Sequence, residues 1–240
     1  MDIEKRMTLT QRLSDLSKEC IEVIVCYMED EEDANHQINA AGALKEEGKI
    51  VLSIGLLPFS FENKKTILAS LGRAQLLQHA SDGCILLNDD SFVNRGCNPE
   101  EVSSEIEFII SNIECGLQDI LREGTINIEA ETLREALRDC GTFMVKYGDG
   151  MGLDRVGLAF RNAYESLSYY KLELSTARSL IIKVFLSKCD TLTNAEQDRL
   201  KQLIADLPKS MNIILGFGIS DIQAGQIQIV MLGTGVDVVL

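Results

Sequence analysis

Hydrophobic positions in the first third of the chain alternate between continuous runs and helical spacing. Three continuous apolar runs are typical of buried strands: Ile21–Tyr27, Ile50–Leu57 and Cys84–Leu87. Helical patterns fill the segments before and between these runs, at residues 8–19, 29–48 and 62–79. Because strands that alternate with helices in this way form parallel sheets, the pattern predicts an α/β domain.

A longer helix and a different pattern follow. An apolar stripe with helical spacing runs from Ile106 to Leu121 and predicts one helix over residues 99–123, about 35 Å long. Beyond it we predict helices at 130–139, 153–166 and 194–206, the last capped by Thr193 or Asn194. Predicted strands lie at 141–147, 179–186, 212–219 and 226–233, with a glycine turn at 148–152. This part of the chain therefore predicts a second domain with a four-stranded sheet backed by helices.

Acidic residues are concentrated in the first half of the 240-residue chain, whose formal net charge is −14. Residues 1–124 hold 11 Lys+Arg and 23 Asp+Glu, whereas residues 125–240 hold 12 and 14. The densest acidic segment is a run of five: Glu29, Asp30, Glu31, Glu32 and Asp33. A chain of this charge is repelled by nucleic-acid phosphates and anionic lipid, which argues against both as partners.

Several functional classes are disfavoured by the remaining composition. No apolar run reaches the roughly 18 residues of a membrane span, and the first residues contain no apolar signal core. The seven cysteines form no CxxC pair, which is typical of reduced thiols, and we expect a cytoplasmic protein. His36 and His79 lack partners at ligand spacing, so no metal site is predicted. Acids near Cys26 are expected to raise the pKa of its thiol.

A series of short motifs, in order along the chain, resembles the FtsZ branch of the tubulin superfamily. Residues 50–66 (IVLSIGLLPFSFENKKT) resemble a strand followed by the family's "PF-x-FEG" segment, and residues 87–90 (LNDD) resemble its "PND" turn. Residues 140–144 (CGTFM) and 153–155 (LDR) resemble "GTAMM" and "ENRA". Residues 212–220 and 231–237 resemble "ANIIFGAVID" and "VIATGFD". Each motif is weak alone, but the series covers residues 12–237.

The resemblance implies a fold and a set of domain boundaries. We expect an α/β protein in which a partial Rossmann-like parallel sheet is joined by a long central helix to a smaller α+β domain. The expected boundaries are residues 1–98 for a reduced GTPase-like domain, 99–124 for the connecting helix and 125–240 for the C-terminal domain. Family members begin with a strand, a Gly-rich phosphate loop and two further strands, and this sequence shows no counterpart of that front section.

The family's signature loop, GGGTGTG, falls on residues 28–35, where this chain has no glycine. Glycines let backbone N–H groups approach a phosphate at a helix N-terminus, and side chains with a Cβ prevent that approach. The five acids from Glu29 to Asp33 repel a triphosphate as well. We therefore expect no bound cofactor, with GTP and Mg²⁺ as the disfavoured alternative. Acids can ligate hard cations, but a solvated helix start is the preferred interpretation of this run.

A second family motif, the "N-x-D-x-x-D" synergy loop, falls on residues 126–132. In the family this loop acts on the nucleotide of a neighbouring subunit. Asn127 matches the motif, Glu129 replaces its first Asp, and Thr132 replaces its second, with Glu131 one position away. The resemblance thus implies a degenerate catalytic loop with little or no activity. The residues also fit a structural role, with Asn127 as a helix cap and the glutamates as first-turn acids.

Three functional hypotheses follow from these features. The preferred one is a degenerate FtsZ-like protein that acts through protein–protein contacts, by capping a filament of a true homologue or regulating it. Filaments of the superfamily stack head to tail, and this chain has lost the residues of one end and kept those of the other. The alternatives are an FtsZ-like GTP-binding protein with a weak or partner-dependent GTPase, and a homodimer formed through an exposed edge strand, Ile21–Tyr27 or Ile50–Leu57.

Overall fold

The computed structural model describes residues 21–88, 102–165 and 172–237. These residues form two compact units. The first contains residues 21–88, 102–114 and 134–143, and the second contains residues 115–133, 144–165 and 172–237. The predicted helix at residues 8–19 lies outside the described residues, as does the end of the LNDD turn.

The first unit is built on a three-stranded parallel sheet flanked by helices. Its elements are β1 (Ile21–Tyr27), α1 (Glu31–Glu46), β2 (Ile50–Leu57), α2 (Lys64–Ala80) and β3 (Gly83–Asn88). The strand order is β1-β2-β3, and both pairs are parallel. The predicted strands and the α/β class are confirmed, because continuous apolar runs mark strands covered on both faces.

The sheet order corrects one sequence-based expectation. Ile50–Leu57 was a candidate exposed edge, but it forms β2, which pairs with β1 on one side and β3 on the other. The expectation failed because the pattern of a strand does not reveal on which side its neighbours pair. Ile21–Tyr27 does lie at an edge of the three-stranded sheet.

A long helix and a short one follow, α3 (Val102–Leu121) and α4 (Ala130–Leu137). The predicted stripe of α3 is buried at Ile106, Ile109, Ile110, Ile113, Leu117 and Ile120. The division between the two units passes through both helices. The loop between α3 and α4 contains the residues that resemble the synergy loop.

The second unit contains the predicted four-stranded sheet. Its elements are β4 (Phe143–Gly150), α5 (Arg155–Tyr164), β5 (Ser179–Ser187), α6 (Asn194–Ala205), β6 (Asn212–Ser220) and β7 (Ile227–Thr234). The strand order is β4-β7-β5-β6, with β5 parallel to β6 and antiparallel to β7. Thr193 caps α6 in a capping box with Glu196, which resolves the choice between Thr193 and Asn194.

The glycine turn predicted at residues 148–152 is in part a strand. Gly148 and Gly150 belong to β4 and lie against the backbone of α5. A Cβ on Gly148 would be 2.1 Å from the carbonyl oxygen of Ala159, and one on Gly150 would be 1.9 Å from that of Arg155. These glycines therefore permit a helix to approach the strand closely, and the turn is confined to residues 151–154.

Two expectations from composition can be compared with the described residues. None of the helices in the described ranges is long and apolar enough to cross a membrane. Cys26, Cys84, Cys115, Cys140 and Cys189 are all free thiols.

Candidate functional site

The connection between β1 and α1 contains the residues on which the sequence resemblance places the family's glycine loop. Met28 is fully buried, and its N–H still donates to the carbonyl of Leu56 at 3.0 Å, so it extends the pairing of β1 with β2. Glu29 and Asp30 are exposed, and α1 begins at Glu31. Only Glu29 and Asp30 therefore separate the buried residue Met28 from the first turn of α1.

The N-terminus of α1 already has its own anionic cap. Asp30 is the N-cap residue, and its Oδ1 accepts from the N–H of Asp33 at 3.1 Å. Its backbone carbonyl accepts from the N–H of Ala34 at 2.9 Å. Glu31, Glu32 and Asp33 add three carboxylates to the same turn. These charges satisfy the positive end of the helix dipole, which is the feature that a phosphate would otherwise use.

The backbone before this cap is fixed by α2. The carbonyl oxygen of Met28 accepts from the buried Ser70 hydroxyl at 2.9 Å and from Arg73, through Nε at 2.8 Å and also through Nη2. Three donors on one carbonyl leave the connection little freedom to rearrange into a phosphate cradle. This anchor could not be predicted from the sequence, because Ser70 and Arg73 are 42 and 45 residues away from Met28.

Acids do not converge on one point in this region. Glu29, Asp30, Glu31 and Glu32 are exposed, and only Asp33 is half-buried. Among the described residues no group of three or more His, Cys, Asp or Glu side chains could hold a metal ion. Glu29 to Glu32 thus lie in solvent at the start of α1, as the sequence interpretation of a solvated helix start requires of them, and whether the run holds a cation stays a prediction.

Cys26 is not a reactive thiol in this environment. Its side chain is fully buried beneath α1, and burial raises its pKa to about 12, with the charge of Asp33 as a smaller cause. Burial likewise raises the pKa of Cys84 to about 11. The charge of Asp33 raises the pKa of Cys26 as predicted, but desolvation raises it more.

The cap gives a direct prediction for stability. Replacing Asp30 with alanine should lower the free energy of unfolding by about 1 kcal/mol, because the N–H of Asp33 loses its acceptor. The matched control is Glu32→Ala, which removes an exposed acid of the same turn and leaves the cap in place. Urea unfolding followed by circular dichroism measures both variants, and equal losses would show that the cap contributes nothing specific.

The loop between α3 and α4, in the second unit, is held on the edge of its sheet. Ile126 pairs with Phe217 of β6 through two backbone hydrogen bonds of 3.1 and 2.9 Å. Gly124 lies so close to β6 that a Cβ there would be 2.2 Å from the carbonyl oxygen of Phe217. Ile128 is buried, whereas the side chain of Ile126 is 51% exposed. The loop therefore has a fixed backbone and an exposed apolar tip.

Two of the three candidate catalytic residues lie on this loop and the third lies in the helix that follows it. The Oδ1 of Asn127 accepts from the N–H of Gly124 at 2.7 Å, so Asn127 braces the loop. The alternative role of Asn127 as a helix cap is not seen, since Glu129 contributes the carbonyl that begins α4, accepting from Leu133 at 3.1 Å. Glu129 is exposed and Thr132, in the first turn of α4, is half-buried. Whether any of them acts in catalysis stays a prediction.

A buried lysine, Lys183, holds the start of the same loop and was not identified from the sequence. Lys183 is fully buried in β5, and its Nζ donates to the carbonyl of Arg122, just after the end of α3, at 2.9 Å. Burial lowers the pKa of Lys183, and the nearby Arg122 guanidinium lowers it further. A single lysine within the apolar run SLIIKVFL was the available signal, because a cation in a buried strand needs a partner.

The chain resembles known cell-division proteins in sequence. No protein-family model matches it. FtsZ of Porphyromonas gingivalis is 23% identical over 192 residues, which cover 78% of this chain and 42% of that protein. The mitochondrial division protein fszA of Dictyostelium discoideum is 24% identical over 202 residues, covering 82% and 38%. The chain thus spans well under half the length of these curated relatives.

Solved structures share its fold. An FtsZ structure from M. jannaschii has a TM-score of 0.70 at 18% identity and covers 95% of this chain and 69% of that one. CetZ2 from Haloferax volcanii, solved as a GTPγS-bound protofilament, has a TM-score of 0.69 at 18% identity and covers 90% and 65%. At these low identities the chain is similar in sequence to FtsZ proteins and in fold to FtsZ and CetZ structures, which supports a divergent member of the FtsZ/tubulin superfamily.

Proposed function

We propose that this chain is an FtsZ-like protein of the cell-division type that binds no nucleotide and acts by capping the end of a filament made by an intact homologue. The observation that carries the proposal is the acidic, self-capped connection between β1 and α1. By the sequence resemblance, this connection corresponds to the phosphate loop of the superfamily. The setting of this contact is the cytoplasm.

The electrostatic cost of a nucleotide at this connection is large. Two like unit charges 4 Å apart repel by about 1 kcal/mol in water and about 4 kcal/mol near a protein surface. A triphosphate at the N-terminus of α1 would meet Asp30, Glu31, Glu32 and Asp33 within one helical turn. The backbone cannot turn its N–H groups toward the phosphates either, since Met28 is held by Ser70 and Arg73.

The loop from Gly124 to Glu129 supports the other half of the proposal. The side chain of Asn127 accepts from the N–H of Gly124 within the loop, and Ile126 pairs with β6. Lys183 donates to the carbonyl of Arg122, just before the loop. These contacts hold the backbone of the loop in place, while the side chains of Ile126 and Glu129 remain exposed. A preordered surface of this kind loses little entropy on binding, which favours a protein contact.

Capping is expected of a chain that offers only one of the two surfaces of the head-to-tail filament contact. A head-to-tail contact generates an open filament when each subunit offers both halves of the interface. A chain that offers one half can join a filament end once and leaves no site for the next subunit. Such a protein acts at low ratios to the polymer, because the ends are few.

The test mixes this chain with a polymerising FtsZ and GTP, and measures filament length by electron microscopy and association by pelleting. We expect shorter filaments at substoichiometric amounts of the chain. Ile126→Asp should abolish the effect, because it places a charge on the exposed tip without touching the backbone pairing. Leu153→Asp is the matched control, since Leu153 is a fully exposed leucine of the same unit. No association and unchanged filament length would overturn the proposal.

A further inference from the structure

The side chain of Arg122 lies where α3 meets the loop at residues 124–129, which we call the capping loop. Its Nη2 pairs with Oδ1 of Asp119, one turn earlier on α3. Its Nη1 donates to the hydroxyl of Ser220, at the end of β6, at 3.4 Å. Its guanidinium carbon lies over the ring of Phe185 on β5, 5.3 Å from the ring centroid. One side chain therefore joins the end of α3 to both β5 and β6.

Asp119 is itself held in place by β4. Its Oδ2 accepts from the hydroxyl of Tyr147 at 3.1 Å. Gly116, one turn earlier on α3, permits this contact, because a Cβ there would be 2.2 Å from a methyl carbon of Val145. Burial raises the pKa of Tyr147 and the charge of Asp119 raises it further, so the phenol keeps its proton and donates. The carboxylate thus has one oxygen on Tyr147 and the other on Arg122.

The main chain of Arg122 is fixed as well, since its carbonyl accepts from the buried Lys183 at 2.9 Å. The capping loop begins two residues later, and its Ile126 pairs with Phe217 of β6. Phe217 lies only three residues before Ser220, which the Arg122 side chain contacts. The end of α3 and the capping loop thus rest on the same part of β6, so the position of Arg122 sets where the loop starts.

We propose that Asp119 is a positioning residue of the capping loop, on which it acts by holding the guanidinium of Arg122 against β5 and β6. An arginine side chain has many rotamers, and that of Arg122 is 48% exposed to solvent. The side chain of Asp119 is only 13% exposed and is bonded to Tyr147, so it selects one of these rotamers. The role rests on the proposed function, because the capping loop is the surface proposed to meet the filament end.

The first experiment measures amide hydrogen exchange at Gly124 and Ile126, whose N–H groups are both hydrogen-bonded. Asp119→Asn keeps the shape of the side chain and removes its charge, whereas Arg122→Gln removes the guanidinium. Each should speed exchange at these two amides by about tenfold, since a hydrogen bond between charged groups is lost at a partly exposed site. Amides of β7, between β4 and β5, should exchange as in the wild type, which shows that the unit stays folded.

The double variant distinguishes positioning from two separate contributions. If Asp119 acts through Arg122, the variant with both substitutions exchanges about tenfold faster than the wild type, like either single variant, whereas independent effects multiply to about 100-fold. Added salt should speed exchange in the wild type and not in Asp119→Asn, because screening weakens the ion pair. Asp198→Asn is the matched control, since it breaks an exposed i,i+3 pair with Lys201 on α6 and should leave exchange in the loop unchanged.

The second experiment mixes the same variants with a polymerising FtsZ and GTP. Asp119→Asn and Arg122→Gln should lose filament shortening, and Asp198→Asn should retain it. The positioning role would be overturned by unchanged exchange at Gly124 and Ile126 in both single variants, by a 100-fold effect in the double variant, or by faster exchange without loss of shortening. A wild-type chain that leaves filaments unchanged, yet shows the expected exchange pattern, would overturn the capping proposal and support the ordering of the loop by Asp119.

Discussion

Replacing Gly124 with alanine is expected to lower the free energy of unfolding by about 3 kcal/mol and to abolish filament capping. The added Cβ would lie 2.2 Å from the carbonyl oxygen of Phe217 and 2.7 Å from the Cα of Gly218. Both are backbone atoms of β6 and cannot move aside, so the loop must leave the sheet. It then loses the two hydrogen bonds of Ile126 and the burial of Ile128.

The matched control for Gly124 is Thr125→Ala, which changes the exposed neighbouring residue and no packed atom. Because the chain contains no tryptophan, urea unfolding is followed by circular dichroism. Amide exchange at Ile126 and Phe217 reports directly whether the loop has left the edge of the sheet. A loss below 1 kcal/mol, together with unchanged exchange at Ile126, would show that the loop does not depend on this close contact.

The second large effect is expected at Arg155, whose side chain is only 10% exposed. Its Nε donates to Oε1 of Glu196 at 2.6 Å, and its guanidinium also lies 3.4 Å from the carboxylate of Asp190. Arg155→Met keeps most of the side-chain volume and removes the charge. Breaking a buried pair costs about 3–5 kcal/mol, and we expect the lower end because Glu196 keeps some exposure.

Arg161→Met is the control for Arg155, since the pair of Arg161 with Asp154 is about 40% exposed on both sides and should contribute less than about 1 kcal/mol. The pH dependence of the free energy of unfolding distinguishes Arg155→Met from Arg161→Met. The hydrogen bond from Arg155 is the largest cause that lowers the pKa of Glu196, from 4.5 to about 2. The stability it contributes is therefore complete above pH 4.5 and lost as the pH falls toward 2. A difference between wild type and Arg155→Met that stayed constant across this window would contradict the assignment.

Most of the fold could be predicted from the sequence because several strands are largely apolar runs. Ile21–Tyr27, Ile50–Leu57 and the run that begins at Ser179 were all recognised in this way. Pairing partners could not be predicted, which is why β2 was a candidate edge. Gly148 and Gly150 were predicted to form a turn. In the structure they let the backbone of α5 approach β4 closely, and this role could not be predicted because it depends on how a later helix packs.

The candidate site was predicted less completely. The acidic run was located, and its cap, Asp30, has the residue type and position that sequence rules favour. The anchors of both loops were not predicted, because Arg73 and Lys183 act on carbonyls 45 and 61 residues away in the sequence. Of the two roles considered for Asn127, the helix cap is not seen, because its side chain bonds within its own loop.

We propose that the connection between β1 and α1 holds no nucleotide. The most direct measurement is equilibrium dialysis of the chain against labelled GTP with Mg²⁺, paired with thermal unfolding at the same concentrations. A ligand at 100 times its Kd stabilises a native state by about 2.7 kcal/mol, which thermal unfolding detects readily. We predict no bound GTP and no stabilisation at millimolar GTP. Saturable binding of one GTP per chain, with a matching stabilisation, would contradict the claim.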